Sequence, residues 1–135
     1  MSDPFHSLAV SGSGMNVYQT WLDAIADNVA NINNVSSTDE AAFQERFVVA
    51  KAKATGNRGA GAVVTHVEFG DPFGRQIYHP EHPLADGDGM VRMPSVDLSQ
   101  QMTHMLVAQR AYQANVSAFR SAREAYQRAL QIGNR

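Results

Sequence analysis

The amino-acid sequence predicts a mainly α fold, in which long N- and C-terminal helices pair as an antiparallel coiled coil and a small β- and turn-rich insert lies between them. Apolar residues recur at alternating steps of three and four near both ends of the chain, which is a heptad spacing. The segment between the two seams is rich in turn residues and too short for much of a core. We therefore expect one structural unit with an N-terminal coiled-coil helix over 1–35, a β-hairpin and loop insert over 36–95 and a long C-terminal helix over 96–135.

The first helix is predicted from an apolar seam near the N-terminus. Its members are Leu8, Met15, Tyr18, Leu22, Ile25, Val29 and Ile32, with Ser11 at one position where an apolar residue is expected. The seam ends at Asn33-Asn34 and the turn-rich residues 36–39, whose side chains bond the local backbone and compete with the helix. Gly12 and Gly14 weaken the early turns, each by about 1 kcal/mol relative to Ala.

The insert contains two short segments with strand character. Phe43 to Val49 mixes apolar with polar residues, and Ala62 to Phe69 alternates between them, as expected for strands or a hairpin. Residues 51–61 have the composition of a turn, and a second turn-rich segment runs from Asp71 to Pro94.

The second helix is predicted from the same spacing without a gap. Its seam consists of Leu98, Met102, Met105, Gln109, Tyr112, Val116, Phe119, Arg123, Tyr126 and Leu130. No Pro or Gly falls between Ser95 and Ile132, so the helix is roughly 50 Å long at about 1.5 Å per residue. A rod of that length cannot be wrapped by the rest of a small chain.

A stripe of small residues runs beside that seam. It comprises Ala108, Ala111, Ala118, Ala122, Ala125 and Ala129, with Asn115 in the remaining place. Small residues allow another backbone to approach closely, which favours one bulky and one flat contact face on this helix. The alternative is that Ala is simply the best helix former.

Composition excludes several kinds of function. The chain has 135 residues, a net charge of −2 and no cysteine, so disulfides, cysteine-ligated metals and cysteine nucleophiles are ruled out. The near-neutral charge argues against a nucleic-acid partner. No apolar run approaches the roughly 20 residues of a membrane span, so no membrane insertion is expected. The first residues also lack the pattern of a cleaved secretory signal.

No segment predicts an active site, a metal site or a cofactor. His79 and His82 with Glu81 are close in sequence, but Pro80 and Pro83 disfavour the helix that a helical zinc motif requires. Residues 86–89 open like a calcium loop without its later ligands, so a turn explains them better. We expect no catalytic, cofactor-binding or metal-binding residue, and no enzymatic activity.

The pattern leaves three kinds of function to compare. An exposed apolar stripe on a long helix favours a subunit that assembles with other proteins. A cytoplasmic helical adaptor or chaperone, binding a partner helix in its groove, is the alternative. A small metal-dependent hydrolase using His79 and His82 is the third, and it requires stoichiometric metal.

Four stretches of the sequence form specific motifs, namely Leu22-Asp-Ala-Ile-Ala-Asp-Asn-Val-Ala-Asn-Ile-Asn33, Tyr78-His-Pro-Glu-His-Pro-Leu-Ala-Asp86, Gly89-Met-Val-Arg-Met-Pro-Ser-Val-Asp-Leu98 and Arg110-Ala-Tyr-Gln-Ala-Asn-Val116. In this order they resemble the motifs of the flagellar basal-body rod proteins. The residues that carry the motifs are Asn28, Asn31, Tyr78, Pro83, Leu84, Met93, Pro94, Asp97, Gln113 and Asn115. Many axial proteins follow the first stretch with Thr-x-Gly-(Tyr/Phe), whereas residues 37–43 here lack that glycine.

The resemblance implies a structural subunit of the proximal rod of the bacterial flagellum, in the basal body. Such subunits polymerise into the periplasm-spanning drive shaft that transmits torque and forms the wall of the export channel, and they are exported without a cleaved signal peptide. The implied partners are other proximal-rod proteins, FlgG, FliE, further copies of the chain and the type III export apparatus.

In such a subunit the seam residues are expected to carry the contacts. We expect Leu22, Ile25, Val29 and Ile32 to pair with Met105, Tyr112, Val116 and Phe119. Tyr126 and the alanine stripe are expected to face neighbouring subunits, and Leu130 extends the seam.

Overall fold

A computed structural model describes residues 4–133, which form two helices and four strands. The elements in chain order are α1 (Pro4–Ala30), β1 (Arg46–Thr55), β2 (Arg58–Phe69), β3 (Arg75–Tyr78), β4 (Met90–Met93) and α2 (Leu98–Gly133). The strands form two separate two-stranded antiparallel sheets, β1 with β2 and β3 with β4.

The predicted fold class is wrong in two respects. About 48% of the residues are helical and 24% lie in strands, so the fold is not mainly α. The structure also does not show a coiled-coil pairing of the helices: the contacts between them include the Asn115 side chain on Gly14 and the Asn28 amide on Gln101, which are polar and are not the apolar knobs of a heptad seam. Steps of three and four describe any amphipathic helix, including one that packs on a sheet, and this explains the error.

The predicted β-rich insert is present, and its hairpin is longer than the sequence indicates. β1 and β2 extend through most of residues 51–61, which have the composition of a turn. Only Gly56 and Asn57 separate the two strands, and Gly56 has a φ of 61°, a backbone conformation that glycine adopts without strain.

The chain folds into two compact units. Unit 1 comprises the described residues of Met1–Leu22, Val49–His66 and Leu106–Arg135, and unit 2 comprises Asp23–Val48 and Val67–Met105. Each unit therefore combines helical segments with part of the β structure.

In unit 1, α1 contacts both β2 and α2. The Ser13 hydroxyl accepts a hydrogen bond from the Ala62 amide at 3.0 Å and donates one to the Val10 carbonyl at 2.7 Å. Near the start of α1, the Phe5 ring meets the Tyr126 ring of α2 edge to face, with 4.6 Å between their centroids. A Cβ at Gly14 would overlap the Asn115 side chain, so glycine lets the two helices approach here without displacing that side chain.

In unit 2, the β3–β4 hairpin contributes to a small core. Ile77 pairs with Val91, which is only 1% exposed, and Ser36 adds an antiparallel bridge to Arg92 on the other side of β4. Gly74 precedes β3 with a φ of 57°, and a Cβ there would overlap the Met93 carbonyl oxygen. This turn therefore admits only glycine without strain.

The start of α2 is fixed by a side-chain cap. Asp97 Oδ1 accepts hydrogen bonds from the amides of Ser99 at 2.8 Å and Gln100 at 3.2 Å. These are two of the amides that an α-helix leaves without an internal partner, so Asp97 is the N-cap.

A buried amide network joins both helices to the start of β1 within unit 2. Asn28, 1% exposed, accepts a hydrogen bond from the Arg46 amide at 2.8 Å and donates to the Arg46 carbonyl at 3.1 Å. Its Nδ2 also donates to Gln101 Oε1 at 3.1 Å, and Gln101 Nε2 donates to Glu45 Oε1 at 2.6 Å. Outside the network, Arg46 forms an ion pair with Asp27 at the protein surface.

We expect Gln101→Ala to lower the free energy of unfolding by about 1–3 kcal/mol, because it leaves the buried amide of Asn28 and the partly buried carboxylate of Glu45 with fewer partners. Urea denaturation followed by circular dichroism measures the change. Gln100→Ala is the matched control, since Gln100 is exposed on the same turn and its loss should change stability by less than about 0.5 kcal/mol. Equal effects of the two substitutions would show that the amide network does not stabilise the fold.

We expect Gly74→Ala to destabilise the chain by about 2–4 kcal/mol, through the unfavourable positive φ and the overlap with the Met93 carbonyl. Thermal unfolding of the purified chain provides the measurement. Gly87→Ala is the control, because a Cβ at Gly87 meets no heavy atom within 4 Å. A Gly74→Ala variant as stable as this control contradicts the role given to the turn.

Candidate assembly surface

Large apolar side chains are exposed on both helices. On α2, Leu98 and Met102 of unit 2 and Leu106 and Val107 of unit 1 each expose about half of their surface. Phe5 of α1 and Ile132 near the end of α2 are more exposed still, at 60% and 76%. Exposed apolar surface marks sites of protein–protein contact where it is contiguous.

The residues of the predicted seams differ in their burial. Ile25 is 1% exposed, and Leu130 is exposed. The remaining members are partly buried, namely Leu22, Val29, Ile32, Met105, Tyr112, Val116, Phe119 and Tyr126. The pairing predicted between individual seam residues of the two helices stays a prediction.

The alanine stripe of α2 divides into a buried and an exposed part. Ala108 has no exposed surface, and Ala111 and Ala122 are partly buried. Ala118 is exposed and lines an open groove of unit 1 together with Ser7 and Ser11 of α1. Ala125 and Ala129 are exposed as well, and the flat contact face predicted for the stripe stays a prediction.

Five of the motif residues have an internal structural role or are buried. Asn28 belongs to the amide network, Asp97 caps α2, and Pro94 is fully buried beside it. Asn31 donates from its side chain to the Asp27 carbonyl at 2.8 Å, close to the end of α1. Asn115 donates to the Ala111 carbonyl at 2.8 Å and lies against Gly14.

Three of the other motif residues are exposed at the end of β3 and on the connection from β3 to β4 in unit 2. Tyr78 exposes 68% of its surface and Leu84 exposes 44%, and Pro83 is exposed beside Leu84. Gln113 is exposed on α2, and Met93 is partly buried in β4. Exposed apolar residues within a sequence motif indicate a contact with another protein rather than a core.

The connection that carries Pro83 and Leu84 is held by Asp86. Its carboxylate accepts hydrogen bonds from the Met90 amide at 2.9 Å, the Thr38 hydroxyl at 2.9 Å and the Asp88 amide at 3.0 Å. These hydrogen bonds, led by the one from Met90, lower the pKa of Asp86 from its ordinary value. Residues 86–89 thus form a turn closed by Asp86.

Gln101 and Glu45 are structural residues that sequence reasoning did not identify. Gln101 is buried while Gln100 beside it is exposed, and the heptad positions around them favour neither. The only available signal is that Gln101 lies one turn from Asp97, which caps the same helix.

The described residues offer no arrangement for metal chemistry. Within residues 4–133, no three His, Asp or Glu side chains come together in a way that would hold a metal ion. The rings of His79 and His82 meet edge to face with 5.6 Å between their centroids. Neither helix of this part of the chain is long and apolar enough to cross a membrane.

The family model and the individual relatives that match this chain all belong to the flagellar basal-body rod proteins. Residues 88–132 match the model of the flagellar basal body rod FlgEFG protein C-terminal family. This match covers α2 to residue 132, β4 and the segment between them. It therefore includes the cap, one partner of the buried amide network and the exposed apolar residues of α2.

Full-length relatives extend the similarity to the whole chain. The flagellar basal-body rod protein FlgC of Yersinia enterocolitica is 31% identical over 125 residues, which cover 92% of this chain and 93% of the relative. FlgC of Aquifex aeolicus is 32% identical over 97% of this chain and 98% of its own, and FlgC of Bacillus subtilis is 27% identical over 96% and 97%. The chain is thus a structural component of the flagellar basal-body rod and not an enzyme, and it belongs to the FlgC family of flagellar basal-body rod proteins.

Proposed function

We propose that this chain is a subunit of the proximal rod, where it polymerises with other axial proteins into the shaft that transmits torque and forms the wall of the export channel. The observation that carries the proposal is the exposed apolar surface of α2, which lies within the part matched to the rod family. About half of the surface of each of four side chains remains exposed and available for contacts with other subunits, namely Leu98, Met102, Leu106 and Val107.

The partners follow from assembly with other rod proteins. We propose further proximal-rod proteins, FlgG, FliE and additional copies of this chain as the neighbours, with the flagellar export apparatus as a transient partner. Tyr78 and Leu84 support a second contact surface, because unit 2 exposes Tyr78 at the end of β3 and Leu84 on the following connection, which Asp86 fixes. Torque would pass through these surfaces and through the partly buried seam residues.

Export without a cleaved signal peptide is part of the same proposal. A subunit that passes through a narrow channel has to unfold, and a chain without cysteine has no disulfide to prevent this. After export the chain folds again. The close approaches at Gly14 and Gly74 and the small core of unit 2 then re-form.

Charge placed on α2 should weaken incorporation into the rod. We expect Leu106→Asp to reduce swimming in soft agar and the amount of the chain in purified basal bodies by tenfold or more, because an exposed apolar contact becomes an unpaired charge. Val116→Asp should have the same effect through the partly buried seam. The host is a strain of the source bacterium from which this gene has been deleted.

Ser117→Asp is the matched control, since it adds the same charge at an exposed polar position of the same helix. We expect it to leave motility and incorporation near the original level. Circular dichroism of the Leu106→Asp chain separates a failure to fold from a failure to assemble. Normal incorporation of both Leu106→Asp and Val116→Asp would contradict the proposal.

The end of α2 should be ordered mainly by neighbouring subunits. All described residues after Tyr126 are exposed, and helices without packing partners are marginal in water. We expect trypsin to cleave the isolated chain first at Arg128, while the same bond is protected in purified basal bodies. Equal protection of Arg128 in the isolated chain would indicate a helix that is stable without the rod.

A further inference from the structure

Charge is strongly segregated between the two units. The described residues of unit 1 contain seven Lys or Arg and one carboxylate, Glu124, for a formal charge of +6. Unit 2 contains three Arg and eleven Asp or Glu, for a formal charge of −8. The net charge of −2 for the whole chain therefore conceals two surfaces of opposite sign.

The outer end of the β1–β2 hairpin is the most concentrated basic element of unit 1. It carries Lys51, Lys53 and Arg58, and no carboxylate occurs between Arg46 and Val67. Residues 51–59 are all exposed, and the positions between the charged side chains are mostly Ala and Gly. Among residues 4–133, none of these three cations forms an ion pair.

Unit 2 presents unpaired carboxylates on two loops that a hydrogen bond joins. Asp39 and Glu40 follow Thr38, whose hydroxyl donates to Asp86, and Asp88 lies two residues beyond Asp86. Asp39, Glu40 and Asp88 are exposed, and the described ion pairs include none of them. The chain thus displays charges of both signs that its own fold leaves without partners.

We propose that the basic end of the β1–β2 hairpin of one copy docks on the acidic loops of unit 2 in a second copy. The occupant is argued from charge complementarity: the cations and the carboxylates that match them belong to one sequence. Such a contact uses two different surfaces, so each copy retains one free surface of each kind, and the contact can propagate as an open helical array.

This inference rests on the proposed function, because it places the contact between neighbouring copies in the rod. Screening limits such contacts to about 8 Å at physiological ionic strength, so the charges act only when the two surfaces are already close. They would orient one subunit against the next, a role in which complementary charge is more effective than in raising affinity.

Site-specific cross-linking tests the contact, and the absence of cysteine makes the chain suitable for it. Arg58→Cys and Asp88→Cys are introduced into separate copies that are expressed together, and basal bodies are treated with a short bis-maleimide. We expect a cross-linked dimer that is reduced at least fivefold when the Arg58→Cys copy also carries Lys51→Glu and Lys53→Glu. Arg128→Cys, an exposed cation of unit 1 on α2, replaces Arg58→Cys as the control and should give little dimer with Asp88→Cys.

The two failures can be distinguished by first measuring the amount of the chain in the basal bodies. If the chain is incorporated but Arg58→Cys gives no more dimer than Arg128→Cys, the charge contact is wrong and the proposed function stands. A dimer that is unaffected by Lys51→Glu and Lys53→Glu also overturns it, since proximity would then not depend on charge. Absence of the unsubstituted chain from basal bodies overturns both proposals.

Discussion

The packing of unit 2 depends on the Asn28 side chain, which forms the two hydrogen bonds with Arg46 that a neighbouring strand would otherwise form. Its oxygen accepts from the amide of Arg46 and its nitrogen donates to the carbonyl of the same residue. This is the pairing that one strand residue offers to another, and it begins β1 against the side of a helix. A carboxylate at this position would lack the donor, and an apolar side chain would leave both backbone groups of Arg46 without these partners.

The same amide also fixes α2 within this unit. A buried polar group requires hydrogen bonds, and Asn28 satisfies its second donor through Gln101, which in turn bonds Glu45. A shift of α2 that put Met102 in the place of Gln101 would leave Asn28 and Glu45 with unmet hydrogen bonds. Apolar packing alone tolerates such shifts more readily, so the polar network specifies the register.

The sequence predicts the helices better than their packing. Both helices are long and free of proline in their interiors, and steps of three and four mark the side that is buried. The same steps do not reveal whether that side meets a helix or a strand. Ser13 is an example: it lies outside the predicted seam, yet its hydroxyl accepts a hydrogen bond from the Ala62 amide of β2. The long hairpin was not predicted because residues 51–61 have weak strand propensity, and pairing between β1 and β2 overrides it. Gln101 was missed because burial distinguishes it from Gln100, and spacing does not.

Two kinds of surface remain after the fold has satisfied its own groups, and they contribute differently to assembly. Apolar side chains such as Leu106 provide affinity without strong directional preference, because burial of apolar area does not depend on orientation. In the proposed contact between copies, the opposite charges of units 1 and 2 would favour one orientation over others, since the wrong one brings like charges together. A rod must hold its subunits firmly and in a fixed direction. Contact surfaces that combine apolar side chains with segregated charge meet both requirements, because the apolar side chains provide the affinity and the charges set the direction.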